Sequence, residues 1–169
     1  YTQLIARRIR ELNIYCEIFP FNKIPEISSE YVGVILSGSP YSIHDKDSPE
    51  INFKTFSNLP VLGICYGAQL IAKENDCVVA KSEIREYGRA KLSYVNSESL
   101  LMKGVELNSD VWMSHGDSIT EITDSFQVLA STKDVKITSY YLKKKNYFGL
   151  QFHPEVTHSA FGRKILDNF

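Results

Sequence analysis

The chain opens on a helical pattern. In YTQLIARRIREL, residues 1–12, Leu4, Ile5, Ile9 and Leu12 recur on one face while charged residues take the other. Three short, continuous apolar runs follow: IYCEIF (14–19), YVGVIL (31–36) and PVLGIC (60–65). Runs of this length and β-rich composition predict strands buried on both faces. Helical patterns reappear at 50–58 and in GAQLIAKEN (67–75). Strands alternating with helices predict parallel pairing through crossover connections, hence an α/β layered fold. The second half changes texture. RAKLSYV (89–95), DVWMSH (110–115), FQVLAST (126–132), KITSYYLKK (136–144) and YFGLQFH (147–153) read as strands joined by turns, so part of the sheet is expected to be antiparallel. SAFGRKILDNF (159–169) reads as a closing helix that packs Phe161, Ile165 and Leu166. No repeat, low-complexity segment or interior linker divides the chain, so residues 1–169 are expected to form one domain. An α/β domain ordinarily begins on a strand, so a strand is expected ahead of Tyr1.

Composition narrows the class without choosing a function. The sequence has 169 residues, enough for one hydrophobic core, and 43% of them are apolar. A net charge of −1 gives no reason to expect a nucleic-acid or acidic-membrane partner. The basic run LKKKN (142–146) is expected to be a solvated hairpin end. No apolar stretch approaches the roughly 18 residues that span a bilayer. The three cysteines, Cys16, Cys65 and Cys77, make no close pair, which disfavours a disulfide framework and points to the cytoplasm.

One cysteine stands apart. Gly63-Ile64-Cys65-Tyr66-Gly67 has the form G-x-C-x-G, between an apolar run and a helical pattern. That is the layout of a nucleophile elbow, where glycines admit close backbone contacts and a sharp turn presents the reactive side chain. The turn is expected to point the sulfur toward solvent at the carboxyl end of the sheet. A helix N-terminus behind the sulfur favours thiolate. A buried structural cysteine beside a glycine turn explains the pentapeptide equally well. The partner residues shift that balance. His153 ends an apolar run and opens His153-Pro154-Glu155. Proline restricts the residue before it, and a carboxylate two positions on can orient the imidazole. Cys65 as nucleophile, His153 as base and Glu155 as orienter form a candidate triad.

GICYGAQ and GLQFHPEV together resemble the class I (triad) glutamine amidotransferase domain, and the similarity runs over nearly the whole chain. EYGRAKL (86–92), VWMSHGDSI (111–119) and QFHPEVTH (151–158) are most similar to the branch that serves GMP synthetases. The resemblance implies a three-layer α/β fold with a mixed, mostly parallel sheet flanked by helices. It implies hydrolysis of L-glutamine through a thioester on Cys65. It implies an oxyanion hole from the backbone of Tyr66 and of Gly38 and Ser39 in SGSP, where relatives often carry a second glycine in place of Ser39. If that position needs positive φ, the serine costs of order 1 kcal/mol. Glutamine recognition would fall to Gln69, Glu86, Tyr87, Ser114 and His115. Asp117 reads as a cap before SITEI or, by the resemblance, as a partner-interface residue; His158 would cap the last helix or face the partner. Cys16 and Cys77 are expected to be inert core thiols, Trp112 and Met113 core residues, and His44 a surface residue.

The resemblance further implies a partner ATP-pyrophosphatase domain or subunit. That partner would bind ATP and Mg2+ and use the ammonia on XMP. Its glycine-rich loop, of the type SGGVDS, does not occur in these 169 residues. No cofactor or metal is expected in this domain. Two alternatives stay open: a γ-glutamyl peptidase-like hydrolase with the same Cys/His chemistry, and a non-catalytic docking module that kept the fold.

Overall fold

In a computed structural model of the chain, the cysteine-bearing strand lies at the centre of a three-strand parallel group. The structure describes residues 1–56 and 59–169, with the side chains of 83–86 left outside the description. In chain order the elements are α1 (Thr2–Arg10), β1 (Val34–Leu36), a 3-10 turn (Phe53–Phe56), β2 (Val61–Ile64), α2 (Tyr66–Lys73), β3 (Val78–Val95), β4 (Asp110–Glu121), β5 (Phe126–Thr132), β6 (Ser139–Leu142), β7 (Tyr147–Leu150) and α3 (Gly162–Asn168). The strands form one sheet in the order β1-β2-β7-β6-β5-β3-β4.

Alternation along the strands builds two cores. Leu62 and Ile64 pack with Ile5 and Ile9 of α1 and Ile165 and Leu166 of α3. Val61 faces the other way, toward Ala68, Leu70 and Ile71 of α2. Helices therefore cover both faces, and the three-layer expectation holds. The buried Tyr140 crosses to α2, where its hydroxyl donates to the Ala68 carbonyl at 2.6 Å. A side chain at Gly149 would run into that ring.

Several expectations are corrected. The sheet is mixed, but β1–β2 and β2–β7 are parallel while the other four pairings are antiparallel, so it is not mostly parallel. Residues 14–19 form no strand. Among the described residues β1 pairs only with β2, and residues 14–19 pair with neither edge of the sheet; Tyr15 stays 84% exposed. The helical pattern at 50–58 yields only the turn Phe53–Phe56, and residues 57 and 58 lie outside the description. The segment 136–144 contributes four strand residues rather than nine. Conversely, β3 begins at Val78, eleven residues before the expected start at 89, and β4 runs on to Glu121. The basic run 143–146 is the turn between β6 and β7, as expected.

Candidate active site

Cys65 follows the last residue of β2 and adopts φ 53°, ψ −108°, outside the ordinary range of an L-residue. Such a conformation persists only where surrounding bonds over-determine it. Here the Cys65 N–H donates to the Leu150 carbonyl at 2.7 Å, and its own carbonyl accepts from Ala68 and Gln69 N–H at 3.0 and 3.1 Å. The flanking glycines have steric reasons to be there. A Cβ on Gly63 would lie 2.5 Å from the Ala68 nitrogen, and one on Gly67 would collide with the Leu36 carbonyl oxygen. The turn brings Cys65 to the mouth of α2 but leaves it only 6% exposed. The sulfur opens into a cavity rather than onto free solvent, which corrects the sequence expectation. It lies 3.6 Å from the Ser114 carbonyl oxygen.

His153 arrives from the sheet's next strand. Beyond β7, Phe152 bridges to Met113, and the His153 N–H donates to the Trp112 carbonyl at 2.9 Å. Ser159 Oγ donates to the His153 carbonyl at 2.6 Å. Nδ1 of His153 and Oε1 of Glu155 are 2.7 Å apart, and Glu155 is fully buried. Nε2 is then the nitrogen left to act on Cys65, which lines the same cavity. Burial opposes a charged imidazole here, but hydrogen bonds to Cys65 and Glu155, reinforced by their charges, raise the His153 pKa to about 9. His115 is the opposite case. Burial outweighs its hydrogen bond to the backbone of Asp117 and, with the nearby His153 charge, lowers its pKa to about 4. One histidine is built to be charged near neutrality and the other to be neutral.

Both face a cavity of about 610 Å3 that Cys65, Gly38, Ser39, Tyr66, Gln69, Tyr87 and Ser114 also line. Of the expected glutamine-binding residues, only Glu86 cannot be placed: its side chain lies outside the description, although its backbone pairs with His115 in the β3–β4 ladder. Gln69 Nε2 donates to the Asp117 carbonyl at 2.8 Å, while Tyr87 is 65% exposed at the rim. Ser39 does not adopt a positive φ, so a serine there carries no backbone penalty.

The sequence profile of class-I glutamine amidotransferases matches residues 1–169. The chain belongs to that family. Two curated relatives, both named glutamine-hydrolysing GMP synthase, come from Cytophaga hutchinsonii and Phocaeicola vulgatus. The first is 53% identical over 170 residues, covering 100% of this chain and 33% of the relative. The second is 50% identical over 169 residues, covering 99% and 33%. This amidotransferase chain thus spans about a third of the length of the curated relatives it matches. Among solved structures, a protein from Thermoplasma acidophilum provisionally named as a GMP synthase subunit superposes with a TM-score of 0.80 at 29% identity, over 99% of this chain and 85% of that one. A Thermotoga maritima glutamine amidotransferase shares the fold at TM-score 0.72 and 20% identity, over 90% and 70%.

Four expectations about this amidotransferase chain change. Asp117 lies inside β4, with no helix to cap, and is 6% exposed. Its carboxylate accepts from Ser42 Oγ at 2.6 Å and Ile43 N–H at 3.1 Å, so it faces inward onto the 42–43 loop rather than outward toward a partner. His158 is exposed and does not cap α3; its ring lies 4.7 Å from the half-buried Trp112 ring, which is not core. Cys16 is half-buried, not core, though burial raises its thiol pKa as it does that of Cys77.

Sequence reasoning missed the contribution of α1. Tyr1 places its ring 4.8 Å from that of His153, Thr2 Oγ1 donates to Ser37 Oγ at 2.9 Å, and Arg8 Nε donates to the Glu155 carbonyl at 3.0 Å. No local pattern marks these residues, because their partners lie 35 to 152 positions along the chain.

Proposed function

We propose that this chain is the glutaminase unit of a GMP synthetase, hydrolysing L-glutamine and passing ammonia to a synthetase domain or subunit that aminates XMP. The observation that carries the reading is the strained Cys65 elbow facing the His153–Glu155 pair across one cavity. Relatives named GMP synthase at 53 and 50% identity favour that branch of the family.

The chemistry follows from the protonation states. An imidazolium at His153 is the counter-ion a Cys65 thiolate needs. The thiolate attacks the side-chain amide carbon of glutamine, and the carbonyl π electrons move to oxygen. That oxyanion needs donors already aimed at it. The Tyr66 N–H is free of helix bonding by its place in the first turn of α2, and Gly38 and Ser39 line the same cavity. The oxyanion collapses, the C–N bond breaks, and His153 gives its proton to the departing nitrogen. Ammonia leaves, and a γ-glutamyl thioester remains. Neutral His153 then takes a proton from water as the water oxygen attacks the thioester carbon, which returns the thiolate and yields glutamate. Glu155 stabilises the imidazolium in both half-reactions.

Gln69, Glu86, Tyr87, Ser114 and His115 are the proposed binding residues for the glutamine backbone groups. Neutral His115 brings no second positive charge to compete with His153 as the counter-ion of the thiolate. His158, exposed beside Trp112, is the proposed partner-facing residue. Cysteine and histidine supply the whole reaction, so it asks no cofactor of this chain; ATP and Mg2+ belong with the synthetase partner. A thiolate nucleophile suits the reducing cytoplasm, where we place the protein. No helix among the described residues is long and apolar enough to cross a membrane.

Ammonia release from glutamine, with and without an ATP- and XMP-loaded synthetase partner, tests the reading. Wild type should release ammonia faster with the partner present, and Cys65→Ala should lose on the order of 10^4-fold or more. Faster cleavage of γ-glutamyl peptides than of glutamine would transfer the chain to peptidase chemistry. A Cys65 that reacts with no electrophilic glutamine analogue, in a chain that releases no ammonia in either setting, would make it a docking module.

A further inference from the structure

The residues after β1 leave the sheet between α1 and the catalytic pair. A Cβ built on Gly38 would lie 3.4 Å from His153 Cε1 and 3.6 Å from the Cys65 Cβ, so the peptide that follows Gly38 borders the reacting atoms. Neither Gly38 nor Ser39 takes a positive φ. Gly38 lacks the side chain that would hinder rotation of the Gly38–Ser39 peptide. Something else must choose which way that peptide points.

Two hydroxyls do so. Thr2 Oγ1 donates to Ser37 Oγ at 2.9 Å, and Ser37 Oγ donates onward to the Gly38 carbonyl at 3.3 Å. A trans peptide is planar, with its C=O and N–H antiparallel. Fixing the Gly38 carbonyl therefore fixes the Ser39 N–H in the opposite direction. The Ser39 side chain takes no part, since its Oγ accepts from the Tyr41 N–H at 3.3 Å. The relay is anchored firmly: Thr2 begins α1, whose Ile5, Ala6 and Ile9 are buried. The same helix and the residue before it touch both other parts of the site, through Tyr1 on His153 and Arg8 on the Glu155 carbonyl.

We propose that Thr2 is a positioning residue, which through Ser37 holds the Gly38–Ser39 peptide in one orientation and so lets the first turn of α1 set the oxyanion site. The inference rests on reading that peptide as part of the oxyanion hole. Glutamine hydrolysis should be measured on the intact protein, including any sequence that adjoins residues 1–169. Thr2→Val keeps the shape and removes the donor. It should lower kcat about 10-fold or more while KM moves by less than about two-fold. Thr2→Ser should restore most of the rate. Ser37→Ala should match Thr2→Val, and the double variant should be no slower than Ser37→Ala alone, because both cut one chain. Losses that add, or a Thr2→Val enzyme as fast as wild type, would overturn the relay while leaving the glutaminase reading intact. A second readout does not depend on turnover. The amide resonance of Ser39 should shift in Thr2→Val and return in Thr2→Ser. An unmoved resonance overturns the relay whether or not wild type hydrolyses glutamine.

Discussion

The two halves of the sheet hold the site in different ways. The parallel group β1-β2-β7 supplies the proposed nucleophile and leads to the proposed base, and it leaves them no room. A Cβ on Gly63 of β2 would meet backbone atoms and one on Gly149 of β7 would meet the Tyr140 ring, the cysteine that follows β2 is strained, and every residue of β2 is buried. The antiparallel ribbon β3–β4 supplies the cavity's other wall more loosely. Gly116 has nothing within 4 Å of a would-be Cβ, and Tyr87 stands 65% exposed. Reactive groups need fixed geometry, whereas a wall that must admit and release substrate needs space.

Alanine at Gly67, in the helix packed on the parallel strands, and at Gly116, in the ribbon, tests the comparison most sharply. Gly67→Ala pushes a methyl into the Leu36 carbonyl oxygen, backbone that cannot move without disturbing β1. We expect a stability loss of about 3 kcal/mol or more in denaturant unfolding. Gly116→Ala meets no atom and no positive φ, so its midpoint should stay within about 0.5 kcal/mol of wild type. Equal losses at both positions would abolish the distinction between the halves.

The next largest effect concerns charge. Replacing Glu155 by Gln keeps a hydrogen-bonding group beside His153 Nδ1 but removes the negative charge that favours imidazolium. The alkaline limb of the ammonia-release profile, set near pH 9 by His153, should move toward neutrality, and kcat should fall at pH 8 by about 10-fold or more. An unmoved limb would show that Glu155 does not tune the base.

The same two histidines shape stability. The folded His153 holds its proton up to about pH 9, against the ordinary 6.5, so its contribution is complete below 6.5 and is lost as pH rises through about 9. The folded His115 refuses a proton until about pH 4, so its contribution is present above 6.5 and is lost as pH falls from there toward 4. Together they predict greatest stability near pH 6.5. His115→Asn should flatten the acid side in denaturant midpoints, and Glu155→Gln the alkaline side. A wild-type profile still rising from pH 6.5 to 9 contradicts the His153 assignment.

These contrasts also mark where the sequence was legible. The elbow could be read because its causes lie within five residues: two glycines, a cysteine, a strand before and a helix after. The pair His153 and Glu155 was legible because Pro154 ties them together. The β3 strand was hidden. Its first half, VVAKSEIREYG, mixes charge into a two-strand ribbon at the end of the sheet, with no continuous apolar run to betray it. The segment 14–19 misled for the opposite reason, since β-rich composition makes a strand only where the segment pairs, and these residues pair with neither edge of the sheet. The inward-facing Asp117 and the helix α1 behind the triad depend on contacts 35 to 152 residues apart, which no local pattern reports.

The smallest effect separates wall from machinery. Tyr87 lines the cavity, yet most of its surface is exposed and Gly88 beside it takes φ +119°, as expected of a rim that bends rather than packs. Removing its ring would delete the proposed contact with glutamine without disturbing Cys65, His153 or the buried cores. Tyr87→Ala should therefore raise KM for glutamine about 3- to 10-fold with kcat nearly unchanged, the signature of lost uniform binding. Its melting temperature should stay close to that of wild type, because an exposed side chain contributes little burial. A fall in kcat at constant KM would instead move Tyr87 from the wall into the group that acts in the transition state. The antiparallel ribbon would then share the precision that the comparison reserves for the parallel strands.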